Sequence, residues 1–279
     1  MPPWTFVLGS VISVQFGQSF GKQLSGEAGP LGVAALRLTV AALVLLAVHR
    51  PALPRPRSGL GSILGLGTAI AGMNLIYPAL AHLPLGMAAT LQLLGPITLA
   101  LLSSRRPVDA ALAALAGSGV WLFHGTGAGT PLGVLLALAS GAAMAIYLLL
   151  SERAGRLSET SAPLTFAVCW AAALYLPFGI AEGGAALLDP GVLLAGAAVA
   201  VLSAVIPYSL DLAALRRLPP RVVGVLESLE PAAAGLAGTV VLAELLRPVE
   251  WIAIACVCAA SAGAVITHSG RSGPRFGVC

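Results

Sequence analysis

The sequence predicts an all-α integral membrane protein with ten transmembrane helices arranged as two inverted five-helix repeats. Three observations carry that prediction: charge is scarce, apolar residues come in blocks of membrane-spanning length, and basic residues alternate between successive loops. Only 9% of the 279 residues are charged and 58% are hydrophobic, with a mean hydropathy of +0.94. Soluble globular proteins carry about 25% charged residues. A chain with so few cannot cover its own surface with polar groups. The apolar blocks run to the roughly 17–25 residues that a helix needs to cross about 30 Å of hydrocarbon.

The spans fall at about 4–21, 31–49, 59–81, 84–102, 108–124, 131–150, 162–181, 191–213, 221–243 and 249–268. No Lys or Arg precedes the first block and no small-residue cleavage pattern follows it, so it reads as a retained helix rather than a signal peptide. Short connections marked by Pro51, Pro54, Pro56, Pro84, Pro107, Pro131, Pro190, Pro219 and Pro220 suit tight turns between antiparallel helices. No linker is long enough to separate a soluble domain. The expected organisation is a first five-helix repeat over 1–126, a second over 127–270, and a tail over 271–279.

Orientation follows from the basic residues. Twelve arginines fall on the side of the two termini: Arg50, Arg55, Arg57, Arg105, Arg106, Arg153, Arg156, Arg216, Arg217, Arg221, Arg271 and Arg275. Only Lys22 and Arg247 fall opposite, and Arg37 lies within a span. Cytoplasmic loops concentrate Lys and Arg, so both termini are expected in the cytoplasm. The net charge of +4 and pI of about 9.2 belong to these loops and imply no nucleic-acid partner.

The repeat is visible at one alignment. Tyr77–Pro96 (YPALAHLPLGMAATLQLLGP) matches Leu212–Pro231 (LAALRRLPPRVVGVLESLEP) without gaps, at a shift of 135 residues. An odd number of helices per half forces the second half to insert upside down. The charges agree: the loop at His82 has no Arg, whereas its mate carries Arg216, Arg217 and Arg221. Secondary transporters with inverted repeats bind substrate near the midplane between halves.

Charged side chains in a span cost about 2.5–3.5 kcal/mol on insertion scales, so each needs a reason. Arg37 either snorkels to the interface or faces a central cavity as a cation for a carboxylate. Glu227 and Glu230 stand at i and i+3, on one helix face, with Pro231 freeing a carbonyl one turn back. Two carboxylates so close in a low dielectric resist double ionisation, which suits a proton-coupling site; the alternative is a hydrogen-bonded structural pair. Gln92 is the repeat mate of Glu227, and Gly95 that of Glu230. Asn74, Tyr77 and Tyr208 are further candidates to line a site, with Gln15, Gln18, Tyr147 and Ser209 as lesser ones. Asp211 reads as an interfacial partner of Arg216 and Arg217.

Enzyme signals are missing: there is no nucleophile-elbow motif, HExxH or P-loop, and no cofactor or metal site is expected. Cys256 and Cys258 point about 200° apart on a helix and cannot share a metal. The four histidines fall at helix ends.

Two five-helix halves, Arg37 in the second span and Glu230-Pro231 in the ninth resemble the EamA-type family of the drug/metabolite transporter superfamily. Further stretches are similar to its bacterial threonine/homoserine exporter group: GMN at Gly72–Asn74, PLG at Pro84–Gly86, SSRRPVD at Ser103–Asp109, AIY at Ala145–Tyr147, RAG at Arg153–Gly155, PYSL at Pro207–Leu210, LRRLPPR at Leu215–Arg221 and LEP at Leu229–Pro231. They cover nearly the whole chain in order. The resemblance implies an inner-membrane carrier that exports amino acids or similar metabolites, with protons as coupling partner. A drug or sugar-phosphate carrier of the same fold, or a non-transporting scaffold, are the rival readings. One departure stands out. In the group the Gln92 position is usually acidic and that of Glu227 apolar, so the acid has changed halves here.

Orientation can be tested directly, because Cys279 is the one cysteine outside the expected spans. A membrane-impermeant thiol reagent should leave it unlabelled in intact cells and label it in inside-out vesicles. Labelling from outside would mean that the span count is wrong by one.

Overall fold

A computed structural model describes residues 2–50, 60–102, 107–124, 129–157 and 162–268. The described residues form helices and no strand. In order these are α1 (Trp4–Ala28), α2 (Pro30–His49), α3 (Leu60–Met73), α4 (Ile76–Leu80), α5 (Leu85–Leu102), α6 (Pro107–His124) and α7 (Pro131–Leu157). Then follow α8 (Ala162–Gly183), α9 (Pro190–Ala200), α10 (Ile206–Leu215), α11 (Pro220–Glu227), α12 (Glu230–Leu242) and α13 (Pro248–His268). A short turn joins α3 to α4, a π-turn at Val201–Val205 joins α9 to α10, and Ser228–Leu229 separates α11 from α12. Counted across these joins, the thirteen helices make ten segments.

Seven segments are long and apolar enough to cross a membrane, while α5 and α6 are shorter apolar helices. At 25 residues α1 is longer than the 4–21 expected, and it is more polar than those seven. It carries Lys22 inside the helix rather than in a loop, because the ammonium finds partners there. Nζ donates to the Leu83 carbonyl (2.6 Å) and to Glu244 Oε1 (2.6 Å). Glu244 Oε2 accepts from Leu85 N–H at the start of α5 (2.8 Å), so one ion pair fastens α1, α5 and the end of α12. At the same end Glu182 accepts from Leu31 N–H (2.6 Å), satisfying a donor that the first turn of α2 leaves open. The boundary at 126/127, the tail 271–279 and the loop residues Arg55, Arg57, Arg105 and Arg106 lie outside the described residues.

Large apolar side chains point outward all round the bundle, among them Trp121, Phe178, Leu194 and Val240. A water-soluble protein does not leave its exterior in this state, whereas a bilayer requires it. Inside, one core runs through Leu80, Leu83, Leu85, Leu91, Phe123 and Ile254. In it α2 packs on α8, α5 on α7 and α12, α6 on α13, and α1 on α10 and α12.

Small residues set how close the helices come, as expected where hydrophobicity does not drive helix association. A methyl at Gly95 would collide with the carbonyl of Gly141, and one at Gly141 would lie 2.5 Å from the carbonyl of Gln92. The α5–α7 crossing is therefore backbone against backbone. Gly117 of α6 has open space instead. Gly95→Ala should thus destabilise the detergent-solubilised protein by about 1–3 kcal/mol through overpacking. Gly117→Ala should leave the melting temperature unchanged or slightly raised. Equal melting curves for the two variants would refute the close crossing.

Candidate functional site

The polar interior begins where helices are interrupted. Pro78 has no N–H to offer the carbonyl of Asn74, so the α-ladder fails there and the chain turns between α3 and α4. The Tyr77 N–H takes the Asn74 carbonyl instead (3.1 Å), and Asn74 N–H bonds Ala71 O (3.0 Å). Asn74 Nδ2 donates back to Ile70 O (2.8 Å), which aims Oδ1 away from its own helix. That oxygen accepts from Arg37 Nη1 at 2.9 Å.

Arg37 does not snorkel. Its guanidinium reaches across to the π-turn, where Nε donates to Ser203 Oγ (2.7 Å) and Nη2 to the Ser203 carbonyl (3.1 Å). It also lies 5.9 Å from the centre of the Tyr77 ring, within range of a cation–π contact. Two glycines of α1 make room for this assembly. A methyl at Gly17 would sit 2.9 Å from Ser203, and one at Gly21 would sit 2.7 Å from Tyr77 Cε1. Tyr77 is 1% exposed and its hydroxyl is buried without a partner.

Gln92 joins the group at one remove. Its Nε2 donates to Ser140 Oγ of α7 (2.8 Å), and that hydroxyl donates to the Met73 carbonyl (2.6 Å), next to Asn74.

Glu227 and Glu230 do not sit on one continuous helix: Glu227 ends α11 and Glu230 opens α12, with Ser228–Leu229 between them. The reason is again a proline, since Pro231 denies a donor to the Glu227 carbonyl. Among the described residues no donor reaches either carboxylate. Asp211 of α10 is close enough to interact with both. This corrects the reading of Asp211 as a partner for Arg216 and Arg217. It is half-buried, faces the Ser10 hydroxyl and leaves Oδ1 buried and unpartnered, while Arg217 stacks 5.0 Å from the Phe6 ring. At the 135-residue shift Asp211 pairs with Ile76, so the repeat carried no signal for it.

Arg37 and the acids form two sites, not one. Along α1, Ser10 marks the acids and Gly17 marks Ser203, seven residues apart, or about 10 Å at 1.5 Å per residue. The ion pairs among the described residues are Lys22–Glu244 and Arg247–Glu250; Arg37 is bonded only to neutral groups. The side chain of Tyr208 lies outside the described residues.

An apolar helical bundle whose helices break around a central arginine and a separate acid group is built as a multi-pass membrane transporter. The chain belongs to the EamA-like transporter family, a family of transporters and not of enzymes. That family's model matches residues 131–266. The threonine/homoserine exporter RhtA of Escherichia coli K12 is 39% identical over 278 residues, covering 96% of this chain and 93% of the relative. The RhtA of Salmonella typhimurium LT2 matches at the same identity and coverage. A solved crystal structure described only as that of a protein superposes with a TM-score of 0.63 at 20% identity. It covers 96% of this chain and 99% of its own, and at that identity the likeness carries the fold alone.

Arg37→Lys keeps the charge but loses the fork that serves Asn74 and Ser203 together. Hydrogen bonds to charged groups contribute about 1.5–3 kcal/mol each, so solute transport in reconstituted vesicles should fall about tenfold or more. The amount inserted should match wild type. Undiminished transport would show that the three-point grip is dispensable.

Proposed function

We propose that this protein exports amino acids such as threonine and homoserine from the bacterial cytoplasm, in exchange for protons. It would do so through ten spans forming two inverted halves, 1–126 and 127–270. Both termini, with the tail 271–279, would face the cytoplasm, and the inner membrane and a small-molecule substrate would be its partners. The observation that carries this reading is Arg37: a guanidinium inside the bundle bound only by neutral oxygens keeps its charge available to a substrate carboxylate. The relatives named as threonine/homoserine exporters support the substrate class.

The helix pairing supports the inverted halves. Numbering the ten segments in order, the second packs on the seventh, the fourth on the ninth and the fifth on the tenth. Each pair is five apart, as a five-helix repeat related by a two-fold axis would have it.

In this reading Glu227, Glu230 and Asp211 bind the coupling proton or the substrate ammonium group. Acids without donors in a membrane interior are the groups for which a proton is the natural partner. Gln92, Asn74, Tyr77 and Tyr208 line the path. The acid's move from the Gln92 position to Glu227 shifts the charge from beside Ser140 to beside Asp211.

Overexpression should raise tolerance of the host to toxic threonine or homoserine and lower the intracellular pool. Glu230→Gln should lose flux driven by a pH gradient in inverted vesicles while retaining exchange at zero gradient. Glu227→Gln should be milder. If Glu230→Gln keeps its pH-driven flux, proton coupling lies elsewhere in the chain.

A further inference from the structure

Four polar residues of the interior, three of them at helix breaks and Gln92 within the unbroken α5, share one sequence pattern: each stands four residues before a proline. They are Asn74 with Pro78, Gln92 with Pro96, Ser203 with Pro207, and Glu227 with Pro231. A proline removes the ladder donor for the carbonyl four residues back, and in hydrocarbon that carbonyl needs another partner. At Ser203 the structure shows which partner it finds.

The hydrogen bonds around Val201–Val205 account for the π-turn. Ile206 N–H bonds the Val201 carbonyl, five residues back, so it does not serve Leu202. Pro207 has no N–H for Ser203, nor for Leu202 in the wider π register. Two consecutive carbonyls are thereby released. Leu202 O accepts from Ser13 Oγ of α1 (2.7 Å), and Ser203 O accepts from Arg37 Nη2 (3.1 Å). The Ser203 hydroxyl donates to Val199 O (2.7 Å), which leaves its lone pairs for Arg37 Nε (2.7 Å). Single π-turns inside α-helices are often found at functional sites.

We infer that Ser203 and Pro207 are positioning residues that set the plane and the free edge of the Arg37 guanidinium for a substrate carboxylate. The inference rests on the reading that Arg37 receives that carboxylate. A guanidinium has five N–H donors. Ser203 takes Nε and one Nη2 proton, and Asn74 takes one Nη1 proton. One N–H remains on each terminal nitrogen, the number that a carboxylate takes in a bidentate pair. With the carbonyl of Ser203 returned to the ladder, Nη2 loses its acceptor and only Ser203 Oγ and Asn74 Oδ1 hold the fork. Its edge toward a carboxylate would then be less firmly set.

The test is transport of threonine by wild type, Ser203→Ala, Ser203→Thr, Pro207→Ala and Arg37→Lys in reconstituted vesicles. Inhibition by threonine amide, which lacks the carboxylate, is measured alongside. Ser203→Ala and Pro207→Ala should raise the threonine KM about tenfold with little change in maximal rate, the mark of lost binding rather than lost turnover. Ser203→Thr should restore the wild-type KM, and inhibition by the amide should be the same throughout. A second arm needs no transport: the rate at which phenylglyoxal modifies Arg37, followed by mass spectrometry. It should rise several-fold in Ser203→Ala and return to wild type in Ser203→Thr. If wild type moves no threonine, the export reading fails and the labelling arm alone decides the inference. If Arg37→Lys lowers transport but the Ser203 and Pro207 variants keep both the wild-type KM and the wild-type labelling rate, the inference is overturned.

Discussion

A bilayer offers no water to a backbone carbonyl or amide, and the rest of this molecule follows from that constraint. An unbroken helix meets it without help. Each interruption must be met by a side chain or by another helix. The breaks in this chain are accordingly where its interior polar groups collect: Asn74 between α3 and α4, Ser203 in the π-turn, Glu227 and Glu230 on either side of Ser228–Leu229. Ser13, Ser140 and Arg37 reach those places from neighbouring helices, and each bonds a backbone carbonyl there. The site is in this sense the set of repairs that broken helices require.

Those repairs need short reach, and the glycines supply it. Gly17 brings α1 against Ser203, Gly21 brings it against Tyr77, and Gly95 with Gly141 brings α5 against α7. Ordinary side chains at these points would hold the helices apart. At one end of the bundle the join is polar instead. There Lys22 and Glu244 tie α1 to the end of α12 and to the first turn of α5.

The segments were legible in the sequence because the length of an apolar block reports directly on the thickness of a bilayer. The interruptions were not. Pro96 and Pro177 sit inside α5 and α8 without ending them, whereas Pro78 and Pro231 accompany breaks. The same blindness placed Lys22 in a loop and Asp211 at an interface, since a charge in a span is judged costly until its partner is seen. Arg37, Glu227 and Glu230 could be singled out because their cost has no cheap local remedy. Their separation into two sites needed coordinates.

The neutral surroundings of Arg37 also have an electrical meaning. Its three acceptors are an amide oxygen, a hydroxyl and a carbonyl, and none of them cancels its charge. A charge moved fully across a membrane responds to the resting voltage by about 2.3 kcal/mol per 100 mV. Any step that carries Arg37 along the membrane normal is therefore voltage-sensitive while its fork is empty. The same step loses that sensitivity at Arg37 once an anion fills the fork.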